Sequence, residues 1–286
     1  MREIIFSTET GSDTPREIAE QYGIRIAPMH LVMGGVDYPD GSIPVDDVYA
    51  YYKETKKVPT TSATNVGEYI DLFNGIRAEH PDCVIMHFAY ASAVSCSYQN
   101  AKIAIENFDD VYLIDTTKVT GGILFHILRA YDIVQKRKGT ITDYQALADE
   151  FREMTSKLAC SFIPGNLEYL KAGGRVSNAA YLGATLLHIK PLIEVDDGGH
   201  LVAAKKYRGS MMRIAESYVR DFAEGHNLNR DHIFLLYSKG ASQEVLDRMK
   251  DCALALGFKE YTYIQTGCVI SCHSGPGAIG LAGISV

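Results

Sequence analysis

Short apolar runs alternate with helical patterns through the first half of the chain. The apolar runs predict strands at residues 3–7, 24–30, 83–89 and 111–115. Helices are predicted at 123–134, at 143–158 and after Asn65, which forms a capping-box pattern with Glu68. Alternation of this kind is typical of crossover units around a mostly parallel sheet. We therefore predict an α/β fold whose N-terminal domain has three layers.

The second half has a different pattern. The run from Asp196 to Gly199 favours a hairpin turn, because turn positions with positive φ accept Asp and Gly. The pattern further predicts a small-residue helix after Ser177, strands at 189–195, 201–204 and 232–237, helices at 211–225 and 243–256, and a short strand before the Gly-rich C-terminal segment. These elements predict a C-terminal α/β domain with a mixed sheet. We expect the domains to span residues 1–158 and 159–286.

Hydroxyl side chains collect where predicted strands give way to helices. Because open parallel sheets bind ligands beyond the carboxyl ends of their strands, we expect a ligand site there. Two predicted loops carry the hydroxyls that stand out: Thr60, Thr61 and Ser62 in one, and Ser92, Ser95 and Ser97 in the other. Hydroxyls at a helix N-terminus can hold a carboxylate or phosphate without a cation. On the pattern alone, the preferred interpretation is helix capping, since Ser and Thr are common N-caps.

Composition excludes several classes of protein. The chain has 286 residues, 47% hydrophobic and 22% charged, with a formal net charge of -7, as in an ordinary globular protein that does not bind nucleic acid. No apolar run is long enough to span a membrane, and the first residues favour a strand over a signal peptide. We therefore expect a cytoplasmic protein. Its 6 cysteines are expected to be reduced rather than to form a disulfide framework.

Motifs for nucleotides, metals and hydrolysis are weak or absent. The run from Gly275 to Gly280 matches GxGxxG but is followed by only a few residues, and the chain has no GxxxxGK[ST] or GxSxG motif. Cys268, Cys272 and His273 lack the second ligand pair of a structural zinc site. We therefore expect no metal and no cofactor.

Three other residues are candidates for anion binding. His273 lies beside Gly275, where the backbone can approach a ligand closely, although a lone histidine is more often structural. Arg175 and Arg208 can each clamp an anion, and for Arg208 a solvated strand edge is the preferred alternative.

Taken together, these segments resemble the DegV family of bacterial fatty-acid-binding proteins over nearly the whole chain. The matching segments are Thr8-Glu9-Thr10, residues 59–62, 92–101, 114–116, 167–177 and 189–191, Arg208, and residues 273–277. The chain differs from the family pattern at Glu9, where Asp is usual, and at 94–97, where Val-Ser-Cys-Ser replaces Leu-Ser-Gly-Thr.

The resemblance implies a two-domain protein that encloses one long-chain fatty acid. In several members the acid is presented to a separate fatty acid kinase, and the acyl phosphate is used for phospholipid synthesis. By position, the carboxyl-binding residues would be Thr61 and Ser95, supported by Ser62, Ser97, His273 and Gly275. Arg208, and with it Arg175, would serve kinase engagement or phosphoryl transfer.

Three hypotheses follow. The first is a fatty acid carrier without catalytic residues of its own. The second is an enzyme acting on a small acid or phosphate ester, with Ser95 as nucleophile and His273 as base. It needs an acid to orient the histidine, for which Asp115 and Glu9 are the candidates. The third is a regulatory module that senses lipid.

Overall fold

The computed structural model describes residues 1–176 and 189–286. The strands in these ranges are β1 (Ile4–Glu9), β2 (Arg25–Ala27), β3 (His30–Met33), β4 (Val36–Pro39), β5 (Thr60–Ser62), β6 (Val84–Ala89), β7 (Val111–Asp115), β8 (Leu158–Ile163), β9 (Ile189–Val195), β10 (Leu201–Arg208), β11 (His232–Tyr237), β12 (Glu260–Gln265) and β13 (Ile279–Ile284). The α-helices are α1 (Arg16–Tyr22), α2 (Val45–Thr55), α3 (Val66–Glu79), α4 (Ser97–Ala104), α5 (Gly121–Lys136), α6 (Tyr144–Met154), α7 (Leu167–Gly173), α8 (Met211–Gly225), α9 (Gln243–Ala255) and α10 (Cys268–Ser274).

The N-terminal sheet has the strand order β2-β1-β6-β7, and all its pairs are parallel. Every residue of β6 is buried, as expected for a strand covered on both faces. Tyr69 and Phe73 of α3 pack with α4 on one face, while Phe125 of α5 and Phe151 of α6 belong to the core on the other. The predicted three-layer arrangement around a parallel sheet is confirmed.

The C-terminal sheet is mixed, as predicted. Its strand order is β10-β9-β8-β13-β11-β12, and only β11 and β12 pair in parallel. The hairpin between β9 and β10 turns at Asp196, whose N–H is bonded to the carbonyl of His200. One face of the sheet packs against α8 and α9. The other packs against α5, where the Phe125 and Phe234 rings lie 4.9 Å apart.

A small antiparallel sheet with the order β4-β3-β5 was not predicted. The predicted strand at 24–30 is divided between two sheets, because Pro28 lacks the N–H needed to continue a ladder. The predicted loop at residues 60–62 is instead strand β5, which pairs Thr61 with the buried Leu31.

Most predicted helices are confirmed with small shifts at their ends. Asn65 caps α3 in a full capping box with Glu68, and α8 has the predicted bounds. The predicted helix at 143–158 ends earlier, at Met154. The small-residue helix predicted after Ser177 lies outside the described residues. Within the described ranges, no helix is both long and apolar enough to cross a membrane.

Candidate functional site

A cavity of about 290 Å³ lies between the C-terminal sheet and the loops at the carboxyl end of the N-terminal sheet. Its polar lining includes Thr61, Ser62, Ser95, Arg175 and His273. Its apolar lining includes Val119, Phe162, Leu236, Val269 and Ile270. The cavity therefore combines a few hydroxyl, imidazole and guanidinium groups with a largely hydrocarbon wall, which is the usual make-up of a small-molecule site.

Thr61 and His273 meet in this cavity. The Thr61 Oγ1 atom lies 2.9 Å from His273 Nε2, so β5 and α10 are joined by a hydrogen bond. The imidazole packs against Gly173, where a Cβ atom would lie only 2.1 Å from Nδ1. Burial, together with the Arg175 guanidinium, lowers the pKa of His273 to about 4. The imidazole is therefore neutral at physiological pH, and one of its nitrogens carries a hydrogen.

Ser95 lines the cavity and is held by Ser97. The Ser95 hydroxyl donates to Ser97 Oγ at 3.0 Å and accepts the Ser97 N–H at 3.1 Å. Ser95 thus binds a backbone N–H of the first turn of α4, which agrees in part with the capping interpretation. Cys96 has φ of -77°, so a cysteine at the family's usual glycine position introduces no backbone strain.

The remaining predicted site residues lie in different environments. Arg175 follows α7, lines the cavity and donates to the Gly173 carbonyl at 2.6 Å. Gly275 ends α10 with φ of 70°. Ser97, Gly275 and Arg208 are not among the described residues that line the cavity, and Arg208 is exposed at the end of the edge strand β10.

Two buried carboxyl groups bind the N-terminus of α10, and no sequence pattern pointed to either of them. Asp13 Oδ1 accepts the Gly267 N–H at 2.7 Å, and Asp40 Oδ1 accepts the Cys268 N–H at 2.9 Å. The Thr120 hydroxyl also donates to Asp13. Burial raises the pKa of Asp13 well above its ordinary value and raises that of Asp40 as well. These contacts fix the helix that presents His273 to the cavity.

The two candidate acids for a catalytic triad are engaged elsewhere. Glu9 is fully buried and accepts from the Tyr69 hydroxyl, while its second oxygen accepts the Tyr90 N–H at 3.0 Å. Its first oxygen also lies 3.1 Å from His87 Nε2. Asp115 accepts the Thr117 N–H at 3.0 Å. In the described part of the chain, neither acid forms a hydrogen bond with His273.

Comparison with known proteins places this architecture in a family. Residues 4–285 match the family model of the uncharacterised DegV proteins. A DegV domain-containing protein of Deinococcus radiodurans is 26% identical, with 98% of this chain and 97% of the relative covered. A relative of the same description from Clostridium acetobutylicum is 23% identical, with 98% of each chain covered.

Solved structures agree over the same length. A DegV family protein from Thermus thermophilus, described by its fatty acid binding, has a TM-score of 0.87 at 24% identity, with all of both chains covered. DegV of Bacillus subtilis, described as a fatty acid binding protein, has a TM-score of 0.80 at 22% identity, again with full coverage. A DegV family protein from Eubacterium eligens, loaded with heptadecanoic acid, has a TM-score of 0.83 at 15% identity and covers 99% of this chain and 100% of its own.

Proposed function

The chain belongs to the DegV family, and we propose that it binds one long-chain fatty acid in the cavity between β5, α10 and the C-terminal sheet. The observation that carries this proposal is the Thr61–His273 pair, which sets a neutral hydrogen-bonding group into a largely apolar cavity. The fatty acid binding described for the relatives from Thermus thermophilus and Bacillus subtilis, and the heptadecanoic acid bound by the one from Eubacterium eligens, support the same class of ligand.

The acyl chain supplies most of the affinity in this proposal. Each buried methylene contributes roughly 0.8 kcal/mol, so a chain of about 16 carbons brings more than about 10 kcal/mol before the cost of ordering it. The lining around Phe162, Leu236 and Ile270 provides the apolar surface for this burial.

The polar groups orient the carboxylate and compensate for its lost hydration. With its hydrogen on Nε2, neutral His273 donates to Thr61 Oγ1, which leaves the Thr61 hydroxyl hydrogen free to bind a carboxylate oxygen. Ser95 donates a second hydroxyl hydrogen by turning away from Ser97. Arg175, which the family resemblance assigns with Arg208 to the kinase, lines the cavity, so we propose instead that it adds a positive charge beside the carboxylate. An uncompensated carboxylate would be costly to bury, so these donors determine which end of the acid lies here.

The protein acts in this proposal as a carrier and has no catalytic residue of its own. A carboxylate held mainly by hydroxyls keeps its nucleophilicity, so it can attack the terminal phosphorus of ATP bound to a partner fatty acid kinase. The new bond joins the carboxylate oxygen to phosphorus, and ADP leaves. Arg208, exposed on the edge strand β10, is proposed to contact that kinase. Since the kinase requires ATP, we place this activity in the cytoplasm, where the acyl phosphate would serve phospholipid synthesis.

Native mass spectrometry of freshly purified protein, followed by organic extraction, tests the proposal. We expect one long-chain acid per chain, released on denaturation. A ligand-free mass that does not change after incubation with saturated and unsaturated acids of 12 to about 18 carbons would contradict fatty acid binding. Copurification with a fatty acid kinase from the same genome tests whether the bound acid is presented to such a kinase. A lipid-loaded protein that never binds the kinase would favour a lipid-sensing role.

A further inference from the structure

Gly280 occupies the centre of the cavity wall formed by the C-terminal sheet. It lies on β13, between β8 and β11, and its direct cross-strand partners are Phe162 on β8 and Leu236 on β11. All three residues line the cavity. Cross-strand partners present their side chains on the same face of a sheet, so Phe162 and Leu236 stand on either side of a position that has no side chain.

The space above Gly280 is bounded closely by its neighbours. A Cβ atom built on Gly280 would lie 3.2 Å from the Leu236 Cβ and 3.3 Å from the Phe162 Cβ, with the Ser161 carbonyl oxygen at 3.0 Å. Leu236 is itself fixed from the side of α5, since a Cβ on Gly121 would lie 2.5 Å from Leu236 Cδ2. The gap between Phe162 and Leu236 is therefore bounded on one side by a Leu236 side chain that cannot move towards α5, and at its base by the backbone of β13.

We propose that Gly280 determines which acyl chains the cavity accepts, because the chain crosses the backbone of Gly280 between Phe162 and Leu236. This inference rests on the proposed function, since it assigns a role within the fatty acid site. A methyl group at residue 280 would occupy space that the hydrocarbon of the ligand otherwise fills. Protein interiors are packed densely enough that one added methyl cannot be absorbed without displacing a neighbour or the ligand.

The effect on binding depends on chain length. Each methylene excluded from the cavity lowers affinity about fourfold, from the roughly 0.8 kcal/mol transfer energy of that group. An acid whose chain is too short to reach Gly280 loses no affinity. Gly280→Ala should therefore weaken the longest acids and leave the shortest almost unaffected, whereas a simple loss of stability would affect all lengths equally.

Displacement of a fluorescent fatty acid by saturated acids of about 10 to 18 carbons measures this ranking. For Gly280→Ala we expect at least a fourfold loss for the acid that the unaltered protein prefers and less than a twofold loss for the ten-carbon acid. Gly75→Ala is the matched control, because a Cβ on this α3 residue would meet no atom within 4 Å. Phe162→Leu widens the same gap, and we expect it to shift the preference towards longer acids.

The possible outcomes separate the two proposals. If Gly280→Ala does not fold, the Phe162→Leu variant still tests the gap. If the unaltered protein binds the acids but every folded variant keeps its ranking, the assignment of Gly280 is overturned and fatty acid binding stands. If the unaltered protein binds none of the acids, the proposed function fails and the inference fails with it.

Discussion

The Asp13 carboxylate accepts the N–H of Gly267 at 2.7 Å, although 254 residues separate them. Asp13 follows the first strand of the N-terminal sheet, and Gly267 is the residue at which α10 begins. The site histidine is therefore oriented by a hydrogen bond between the two halves of the chain. No lysine, arginine or histidine is among the hydrogen-bond partners described for this carboxyl group, and its environment raises its pKa.

We expect Asp13→Asn to be at least as stable as the unaltered protein at pH 7. The pKa of Asp13 is raised in the folded protein, so above the ordinary Asp pKa the folded protein binds more protons than the unfolded chain. Protonated Asp13 therefore contributes to the free energy of unfolding, and this contribution is lost as the pH rises. An amide keeps the bond to Gly267 without a buried charge. Asp13→Ala leaves that N–H unpaired and should cost about 1–3 kcal/mol. Urea unfolding checks both variants, and an Asn variant no more stable than the Ala variant would contradict this account.

Acidification should destabilise the protein through its buried histidines. His126 is fully buried, and this burial lowers its pKa to about 3. Below the unfolded-state pKa of about 6.5, His126 is protonated in the unfolded chain but stays neutral in the folded protein. The free energy of unfolding therefore falls by about 1.4 kcal/mol for each unit by which the pH is lowered. We expect His126→Leu to reduce this slope between pH 6 and about pH 4.5 in urea unfolding of delipidated protein. The same change at exposed His200 is the control, and equal slopes in both variants would contradict the prediction.

Removing the Thr61 hydroxyl should weaken binding of the carboxyl group. Thr61→Val keeps the side-chain shape but removes the hydroxyl that bonds to His273 and that we propose binds the ligand carboxylate. We expect a loss of about 1–3 kcal/mol, or roughly 5- to 150-fold in the dissociation constant of a fatty acid, with little change in stability. Thr60→Val, at an exposed position of the same strand, is the matched control. Ser95→Ala should behave like Thr61→Val, and unchanged affinity in both would remove these residues from the carboxyl site.

Glu9 should not tolerate the aspartate that the family pattern favours. Its two oxygens reach the Tyr69 hydroxyl, His87 and the Tyr90 N–H at the same time. A side chain shorter by one methylene leaves part of this network unpaired, so Glu9→Asp should cost about 1–3 kcal/mol in the free energy of unfolding. Glu17→Asp, on the exposed surface of α1, is the control. Equal stability of the two variants would show that the network adjusts to either acid.

The two arginines should separate lipid binding from transfer of the phosphoryl group. Arg175 lines the cavity, whereas Arg208 lies on the edge strand away from it. We expect Arg208→Ala to keep its fatty acid affinity and lose acyl-phosphate formation with the proposed partner kinase, and Arg175→Ala to bind the acid more weakly. Titration with a fatty acid and a phosphorylation assay give the two readouts. Loss of lipid binding in folded Arg208→Ala would contradict its proposed role.

Sequence patterns predicted elements whose stability is local and missed contacts that depend on distant segments. The strand β7 and the helix α8 have the predicted bounds because apolar periodicity and caps lie within each segment. The strands β3 and β5 are only four and three residues long, too short for a period to be recognised. Thr61 was recognised as a candidate, but its bond to His273 depends on how β5 and α10 pack. The hydrogen-bond partners of Asp13 and Glu9 lie far away in the sequence, so residue spacing does not predict them either.

The position of β13 has a consequence for how the cavity forms. This strand follows both β8 and β11 along the sequence, yet it lies between them in the middle of the C-terminal sheet. While the polypeptide is still emerging from the ribosome, β8 and β11 have an open slot between them, and the cavity lacks both α10 and the Gly280 wall. Unpaired strand edges of this kind are prone to aggregation until they are filled. In the proposed function, a fatty acid can therefore bind only after β13 has paired with β8 and β11, because the cavity wall at Gly280 is then complete.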